Sequence, residues 1–344
     1  MTRYVIIGAG AIGGGIGARL VQADLPTVLI ARGEHLAALQ RGGLRLRTPS
    51  EDLTLPVTAV ASVRDLELRL DDVLVVSTKT HQVAGVLPDL ADAPVHTTDG
   101  QVVGTAGELL PVFLATNGVA AEDLAARYVR RVFGICIWMP AVHLQPGEVI
   151  ARGVPITGVL HLGRVPSGAA DLGDRALLEE VADGWRQATF DIALPENVMA
   201  WKYRKLISNL GNVVDALTDD PRAARPVVEA ADAEARAVLA AAEIEVTDDA
   251  TEAAARAQGF TVEPVPGLEG ARLGSSTWQS LSRGTGSIET DFLNGEIVRI
   301  AHRLGRPAPI NALLSRLGRD AVREDRKPGW LAAADLLAMV NAAG

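Results

Sequence analysis

The chain of 344 residues contains a single cysteine, Cys136, and this scarcity narrows its chemistry. One cysteine cannot form an internal disulfide or a cysteine-cluster metal site, so a reducing cytoplasm is the expected location. Because Cys136 stands between Ile135 and Ile137, we expect it in the core rather than acting as a nucleophile. The six histidines are scattered, and none pairs at the spacing of metal ligands, so no metal is expected.

The chain also lacks an excess of positive charge and any long apolar run. Its formal net charge is −9, which argues against nucleic-acid and anionic-membrane partners. No stretch reaches the roughly 18 apolar residues of a transmembrane helix. The first apolar run is interrupted by glycines and has no cleavage pattern, so a signal peptide is not expected either.

The pattern of apolar residues predicts two domains. Residues 1–193 alternate apolar runs, typical of buried strands, with helical segments, which indicates an α/β fold of the Rossmann type with a doubly wound sheet. Leu44–Arg47 and Asp52–Leu55 alternate with period two and predict a small antiparallel excursion. Residues 194–344 are alanine-rich and show no strand pattern, which predicts an all-helical domain that includes a helix over Val198–Leu217.

The strongest motif is a glycine loop that follows the first predicted strand. Tyr4–Ile7 leads into Gly8, Gly10 and Gly13, and a helical pattern continues from there. In a strand–turn–helix context this spacing is the fingerprint of dinucleotide binding. Gly8 allows the tight turn, Gly10 lets a pyrophosphate approach, and Gly13 lets the helix pack closely. We expect Gly8, Gly10, Ala11, Ile12 and Gly13 to bind the cofactor.

Arg32, which follows the second predicted strand, indicates which dinucleotide is bound. It lies about 20 residues past the glycines, where NAD enzymes place an acid and NADP enzymes place an arginine. A guanidinium can hold a 2′-phosphate through two parallel charge-assisted bonds. The prediction is therefore NADPH, and the alternative for Arg32 is a solvated surface position.

Two further polar residues follow predicted strands directly. Lys79 comes after the Asp72–Ser77 run, and Asn117 follows the run that begins at Val112. Ligands of open parallel sheets bind beyond the carboxyl ends of the strands. We therefore expect Lys79, Asn117, Arg32 and the glycines to line one edge, although a loop lysine is often solvated and Asn-Gly often forms a turn.

In the second half, polar residues recur along the predicted helix. Lys205, Asn209 and Asn212 form a stripe beside an apolar one, and Lys202 is expected on its solvated side. Asparagine is unfavourable inside helices, so its repetition points to a ligand with a carbonyl or carboxylate. Ser276 and Glu289 are further candidates, with structural alternatives as a helix cap and as a first-turn acid of a helix over Ile288–Leu304.

Together these motifs resemble those of the ketopantoate reductase (2-dehydropantoate 2-reductase) family from end to end. They are the glycine loop, Lys79, Asn117-Gly118, Arg204–Asn209, Ser275-Ser276 and Ile288–Gly295, in that order. The resemblance implies a Rossmann domain, a helical domain, and a cleft that closes on NADPH and a 2-keto acid. It also implies that Lys205 is the general acid and Glu289 a hydrogen-bonding acid in the site.

The resemblance assigns the remaining roles as well. Asn209 and Ser276 resemble substrate-binding residues, Lys79 and Asn117 resemble contacts to the nicotinamide side, and Arg32 resembles the reader of the 2′-phosphate. Family members often carry a second asparagine four residues after the one at Asn209, where this chain has Val213. Asn212 is the expected substitute. The spacing between Ser276 and Glu289 is also longer, with a glycine-rich insert at 284–286.

The prediction is an NADPH-dependent reductase that converts a 2-keto acid to a 2-hydroxy acid. The family reaction, from 2-dehydropantoate to pantoate in pantothenate biosynthesis, is the first candidate. Two alternatives are a reductase of the same scaffold for a different keto acid or imine, and a non-catalytic NADPH-binding sensor. The sequence leaves open whether the chain acts alone or as a homodimer.

Overall fold

The computed structural model describes residues 2–270, 272–284 and 286–343, and its strands and helices alternate through the first half of the chain. The strands are β1 (Arg3–Ile7), β2 (Thr27–Ile30), β3 (Leu44–Arg47), β4 (Asp52–Leu55), β5 (Thr58–Val60), β6 (Leu68–Arg69), β7 (Asp72–Val76), β8 (Pro94–His96), β9 (Val102–Thr105), β10 (Pro111–Leu114), β11 (Arg131–Trp138), β12 (Ala141–Val142), β13 (Glu148–Ala151), β14 (Gly153–Pro155), β15 (Gly158–Val165), β16 (Phe190–Ala193) and β17 (Phe260–Val262).

Helices flank these strands and make up most of the later part of the chain. They are α1 (Ala11–Gln22), α2 (Gly33–Gly42), α3 (Val83–Ala91), α4 (Ala106–Leu109), α5 (Ala120–Ala125), α6 (Leu172–Gln187), α7 (Val198–Asn209), α8 (Asn212–Leu217), α9 (Arg225–Ala241), α10 (Asp249–Gly259), α11 (Ser276–Arg283), α12 (Asn294–Arg303), α13 (Pro309–Arg323) and α14 (Ala333–Ala343). None of the described helices is both long and apolar enough to cross a membrane.

The main sheet has eight strands in the order β16-β15-β11-β10-β7-β1-β2-β5. Six neighbouring strands of this sheet are parallel, namely β11, β10, β7, β1, β2 and β5. Strand β15 runs antiparallel to β11, and β16 is parallel to β15. The chain moves outward from β1 first to β2 and later to β7, so the strand order reverses between β1 and β7. This topology confirms the predicted doubly wound, Rossmann-type sheet with antiparallel additions.

Both faces of the sheet are buried, which explains why its strands read as continuous apolar runs. Within β1, Ile6 packs into one cluster and Val5 into the other, because successive side chains point to opposite faces. The predicted excursion is also confirmed, since Leu44 of β3 pairs with Leu55 of β4 in antiparallel register. Those two strands join β13 and β12 in a four-stranded sheet.

The chain divides into two compact units. The first contains Met1–Asn117, Ala121–Trp201 and Asp249–Gly270, and the second contains Gly118–Ala120, Lys202–Asp248 and Ala271–Gly344. The first unit thus runs eight residues past the expected boundary at residue 193 and includes a later segment. That segment joins it because β17 pairs with β14 in antiparallel register.

Two predictions for the second half are corrected. The strand β17 lies where no strand was expected, and it is short because Pro264 and Pro266 follow it. The helix expected over Val198–Leu217 is two helices, α7 and α8, separated by Leu210 and Gly211. The apolar core of the second unit is built from α8, α9, α11, α13 and α14, with Leu314 and Leu336 fully buried.

Candidate active site

The glycine loop (Gly8–Gly13) joins β1 to α1 and has one tight side and one open side. Gly8 has φ +102°, a backbone conformation that favours glycine. A Cβ on Gly13 would lie 2.1 Å from the Gly8 carbonyl oxygen, so a side chain there would push α1 away from the strand. A Cβ on Gly10 would meet no heavy atom of the described chain within 4 Å. The space above Gly10 is therefore open at the N-terminus of α1.

The helix end at this opening suits an anion. No acid lies in the first turn of α1, and Gly10 occupies its N-cap position. Free main-chain N–H groups and the helix dipole favour negative charge at such an end. Gly10, Ala11 and Ile12 are partly exposed. The arrangement has the form of a pyrophosphate site, although contact between these residues and a cofactor remains a prediction.

The other strand ends meet the loop at the same edge of the sheet. Because β2, β7 and β10 belong to one parallel set with β1, their carboxyl ends lie together, as predicted. Ser77, which follows β7, donates its hydroxyl to the Gly8 carbonyl over 2.8 Å. Thr80 donates to the Asn117 carbonyl over 2.7 Å, which joins the segment of Lys79 to that of Asn117.

Arg32 lies at the N-cap position of α2, directly beyond the carboxyl end of β2. It is exposed, and its side chain makes no hydrogen bond or ion pair with the part of the chain that the structure describes. A guanidinium in this state can contact a ligand without first breaking an internal bond. This is the location predicted for the residue that reads a 2′-phosphate.

His35, three residues later, contacts the glycine loop, a contact that the sequence analysis did not predict. Its Nε2 lies 2.8 Å from the carbonyl oxygen of Ala9, inside the glycine loop, and its Nδ1 accepts from the Gly147 N–H over 2.9 Å. Burial and the neighbouring His143 lower the pKa of His35. The available signal was its position on the first turn of the helix that Arg32 caps.

The helix α7 carries Lys205 and Asn209, both at intermediate exposure. The prediction for Lys202 was wrong, because this residue is only 2% exposed and belongs to the interior instead of a solvated face. The buried face of α7 thus includes Lys202 together with Val198 and Leu206. Cys136 is likewise buried, as expected, and its thiol lies 3.3 Å from the carbonyl oxygen of Trp201 on α7.

The break between α7 and α8 changes where the second asparagine lies. Asn212 begins α8, and its Nδ2 lies 3.4 Å from the hydroxyl of Ser276. The hydroxyl of Ser275 donates to the Asn212 carbonyl over 2.9 Å. Val213 is buried in the helical core. Two predicted substrate residues, Asn212 and Ser276, are thus adjacent, while the position expected for the second asparagine faces the core.

The structural alternatives for Ser276 and Glu289 were both wrong. Ser275 caps α11 instead of Ser276, since its hydroxyl accepts from the Trp278 N–H over 3.2 Å. Glu289 does not lie in the first turn of an α-helix, because a short 3₁₀ turn (Thr290–Phe292) separates it from α12. Glu289 is buried. A buried carboxyl outside a regular helix suits a functional residue better than a dipole partner.

Asn294 and Gly118 hold the chain around this turn. The Asn294 side chain donates to the Leu210 carbonyl over 3.3 Å and to Asn311 over 3.0 Å. Gly118 has φ +74°, and a Cβ there would lie 2.7 Å from the Phe292 carbonyl oxygen. The residue after Asn117 thus packs against the turn that follows Glu289. Of the glycine-rich insert, Thr285 lies outside the described residues.

Two family models match the chain in sequence order. The description "Ketopantoate reductase PanE/ApbA" covers residues 4–167, and "Ketopantoate reductase PanE/ApbA C terminal" covers residues 197–321. The chain is 26% identical over 318 residues to the 2-dehydropantoate 2-reductase of Pyrococcus horikoshii, which covers 91% of this chain and 95% of the relative.

Solved structures show the same architecture. A PanE/ApbA family ketopantoate reductase from Ralstonia eutropha JMP134 superposes with a TM-score of 0.71 at 26% identity, over 94% of this chain and 99% of that one. A D-mandelate dehydrogenase solved with NADH and anilino(oxo)acetate superposes with a TM-score of 0.72 at 20% identity, over 94% and 99% of the two chains. At that identity the second likeness concerns the fold alone.

Proposed function

The chain belongs to the ketopantoate reductase family, and on that premise we propose that it reduces a 2-keto acid to the 2-hydroxy acid with NADPH. The first candidate substrate is 2-dehydropantoate, whose reduction to pantoate is a step of pantothenate biosynthesis. The observation that carries the proposal is the shared sheet edge, where the glycine loop, Arg32, Lys79 and Asn117 follow four neighbouring parallel strands.

The residues at that edge fit a nicotinamide dinucleotide. The open space above Gly10, together with the closed side at Gly13, supports a pyrophosphate site at the N-terminus of α1. The exposed guanidinium of Arg32 supports NADPH over NADH, because it can pair with a 2′-phosphate. Lys79 and Asn117 would then lie toward the nicotinamide.

When bound, NADPH supplies the hydride that reduces the keto carbon. Lys205 donates a proton, or a strong hydrogen bond, to the carbonyl oxygen as that oxygen gains negative charge. Glu289 hydrogen-bonds in the site, where its burial strengthens every electrostatic contact that it makes. Asn209, Asn212 and Ser276 hold the carboxylate or hydroxyl groups of the substrate so that the keto carbon is correctly oriented.

The pair formed by Asn212 and Ser276 is where we expect substrate choice to be decided. Their 3.4 Å contact supports the proposal that Asn212 supplies the amide expected at position 213. An amide displaced by one residue along the chain presents its donor from a different point. A different keto acid, or an imine on the same scaffold, is therefore the alternative to 2-dehydropantoate.

A substrate panel tests the proposal. The purified chain is mixed with NADPH or NADH and with 2-dehydropantoate, pyruvate, 2-ketoisovalerate, benzoylformate or a cyclic imine, and loss of the reduced nicotinamide is followed by absorbance. Keto-acid-dependent oxidation that prefers NADPH is expected. Turnover of the imine alone would move the chain to the alternative reaction, and NADPH binding without any turnover would establish the sensor.

Two further properties accompany the proposal. The single buried cysteine supports a cytoplasmic location, because the fold needs no oxidising compartment. A homodimer is the proposed alternative to a monomer, and light scattering coupled to gel filtration distinguishes the two by mass.

A further inference from the structure

His35 has no part in the proposed chemistry, yet both of its ring nitrogens are used. It lies in the first turn of α2, three residues after Arg32, and is half-buried. One nitrogen contacts Ala9 in the glycine loop at 2.8 Å, and the other contacts Gly147, just before β13, at 2.9 Å. A single imidazole therefore joins three segments that are distant in sequence.

The two partners determine the protonation state of the ring. A carbonyl oxygen can only accept, so Nε2 must carry the hydrogen that points at Ala9. A main-chain N–H can only donate, so Nδ1 must be bare toward Gly147. The ring is therefore the neutral Nε2–H tautomer, and burial, which lowers the pKa of His35, favours the same form.

The segment that holds Nδ1 is itself well anchored. His143 lies edge-on to His35 with ring centroids 4.5 Å apart, and its Nδ1 is 2.9 Å from the Glu148 carbonyl oxygen. The Glu148 carboxylate is buried and accepts from Arg45 over 3.1 Å. Gly147 has φ +80° and lies against Ala38 of α2. The contacts to Gly147 and His143 thus fix the His35 ring, so the ring can position the glycine loop that its other nitrogen contacts.

The other contact of His35 is to the turn at which we propose that a pyrophosphate binds. Ala9 stands between Gly8 and Gly10, and α2 begins at the residue after Arg32. We propose that His35 is a positioning residue for the cofactor, which holds the glycine loop at a set distance from the N-terminus of α2 and so lets pyrophosphate and 2′-phosphate bind together. The inference rests on the proposed use of NADPH.

Three substitutions separate the two hydrogen bonds. His35→Phe keeps a ring and removes both bonds, His35→Gln keeps an N–H near the position of Nε2, and His35→Asn keeps an acceptor near the position of Nδ1. His96→Phe is the matched control, because His96 is also half-buried, contacts one main-chain carbonyl, that of Leu68, and lies in the small sheet of β6, β8 and β9.

The dissociation constants of NADPH and NADH are measured by fluorescence without any keto acid, and kcat is measured at saturating NADPH. For His35→Phe we expect the Kd of NADPH to rise roughly tenfold and that of NADH to rise less, because NADH lacks the 2′-phosphate that must be aligned together with the pyrophosphate. The kcat should stay within about twofold, since the chemistry is unaltered. His35→Gln should recover much of the affinity, and His35→Asn less.

A Kd of NADPH within about twofold of the unaltered chain in all three variants would overturn the inference. So would a fall in kcat with an unchanged Kd. If His35→Phe does not fold, the Kd of NADPH for His35→Gln and for His35→Asn decides. A Kd equal to that of the unaltered chain in both variants would count against the role. Because binding is measured without substrate, absence of keto-acid turnover would refute the proposed function and leave this test standing.

Discussion

At the scale of single residues, two lysines one helical turn apart have opposite environments. Lys205 is partly exposed, whereas Lys202 is buried, although both follow the same helical pattern. Replacing a buried lysine alters the packing and leaves its partners without their bond, so the change would confound a kinetic comparison. Lys202 therefore cannot serve as a silent control for Lys205, and the exposed Lys327, near the end of the chain, takes that place.

Lys205→Ala should lower kcat by roughly 10²–10⁴-fold, because the residue acts where negative charge develops on the substrate oxygen. The Kd of NADPH should change little, since the phosphate contacts are proposed for the glycine loop and Arg32. Steady-state kinetics and cofactor titration check both values, and Lys327→Ala should match the unaltered chain. Full activity of Lys205→Ala would place the proton donor elsewhere, with Lys79 or a bound water the next candidates.

Arg32→Ala should remove most of the preference for NADPH over NADH, at a cost of about 1–3 kcal/mol in NADPH binding. The side chain is exposed, so its loss should not affect the core. Arg41→Ala, on the last turn of the same helix, is the control. The measurement is kcat/KM with each cofactor. Equal losses for NADPH and NADH would mean that Arg32 does not read the 2′-phosphate.

At the scale of elements, the break between α7 and α8 is held by a buried polar network. The main-chain carbonyl of Leu210 accepts a hydrogen bond from the Asn294 side chain, which also donates to the side-chain oxygen of Asn311. Asn311 donates in turn to the Ala231 carbonyl and to Glu234. Two asparagine side chains thus connect α9, α12 and α13 to the residue after Asn209. The network therefore holds the main chain at Leu210, directly after the predicted site residue Asn209.

Asn311→Leu should lower the free energy of unfolding by about 2–4 kcal/mol, because it leaves buried polar partners without their hydrogen bonds. Asn341→Leu makes the same change at an exposed position of α14 and should cost no more than about 0.5 kcal/mol. Urea unfolding followed by circular dichroism measures both. A loss for Asn311→Leu that does not exceed the control would mean that the network contributes no stability.

At the scale of the whole molecule, acid stability should depend on His161. This residue is buried, its ring stacks on Trp201 with centroids 3.7 Å apart, and its Nδ1 has no hydrogen-bond partner among the described residues. Burial lowers the pKa of His161 from 6.5 to about 4. As the pH falls, His161 is therefore protonated in the unfolded chain before it is protonated in the folded chain. The free energy of unfolding accordingly decreases between pH 6.5 and about 4.

His161→Phe should flatten this pH dependence, because phenylalanine keeps the stack but cannot take a proton. The pKa difference corresponds to about 3 kcal/mol that the unaltered chain loses over the interval and the variant retains. Unfolding followed by tryptophan fluorescence reports directly on Trp138 and Trp201, which border the histidine. The exposed His302→Phe is the control. Identical pH profiles of His161→Phe and the unaltered chain would contradict the prediction.

The cofactor half of the candidate site could be predicted from the chain's local patterns alone. The residues of the glycine loop are contiguous, so their roles follow from short-range sterics. The open space at Gly10 and the close contact at Gly13 match the roles predicted for these two glycines. The shared edge of Arg32, Lys79 and Asn117 could also be predicted, because carboxyl ends of parallel strands lie together whatever packs around them. The helical pattern pointed to Lys205 and Asn209, and the family resemblance supplied the predicted roles of these two residues and of Ser276 and Glu289.

Three features became known from the folded chain and not from its sequence: the burial of Lys202, the break at Gly211 and the two hydrogen bonds of His35. Helical periodicity says which residues share a face, but not which face another element covers. His35 joins segments more than 100 residues apart, as its bond to Gly147 shows. Such contacts form only when the whole chain has folded, so no local sequence pattern predicts them.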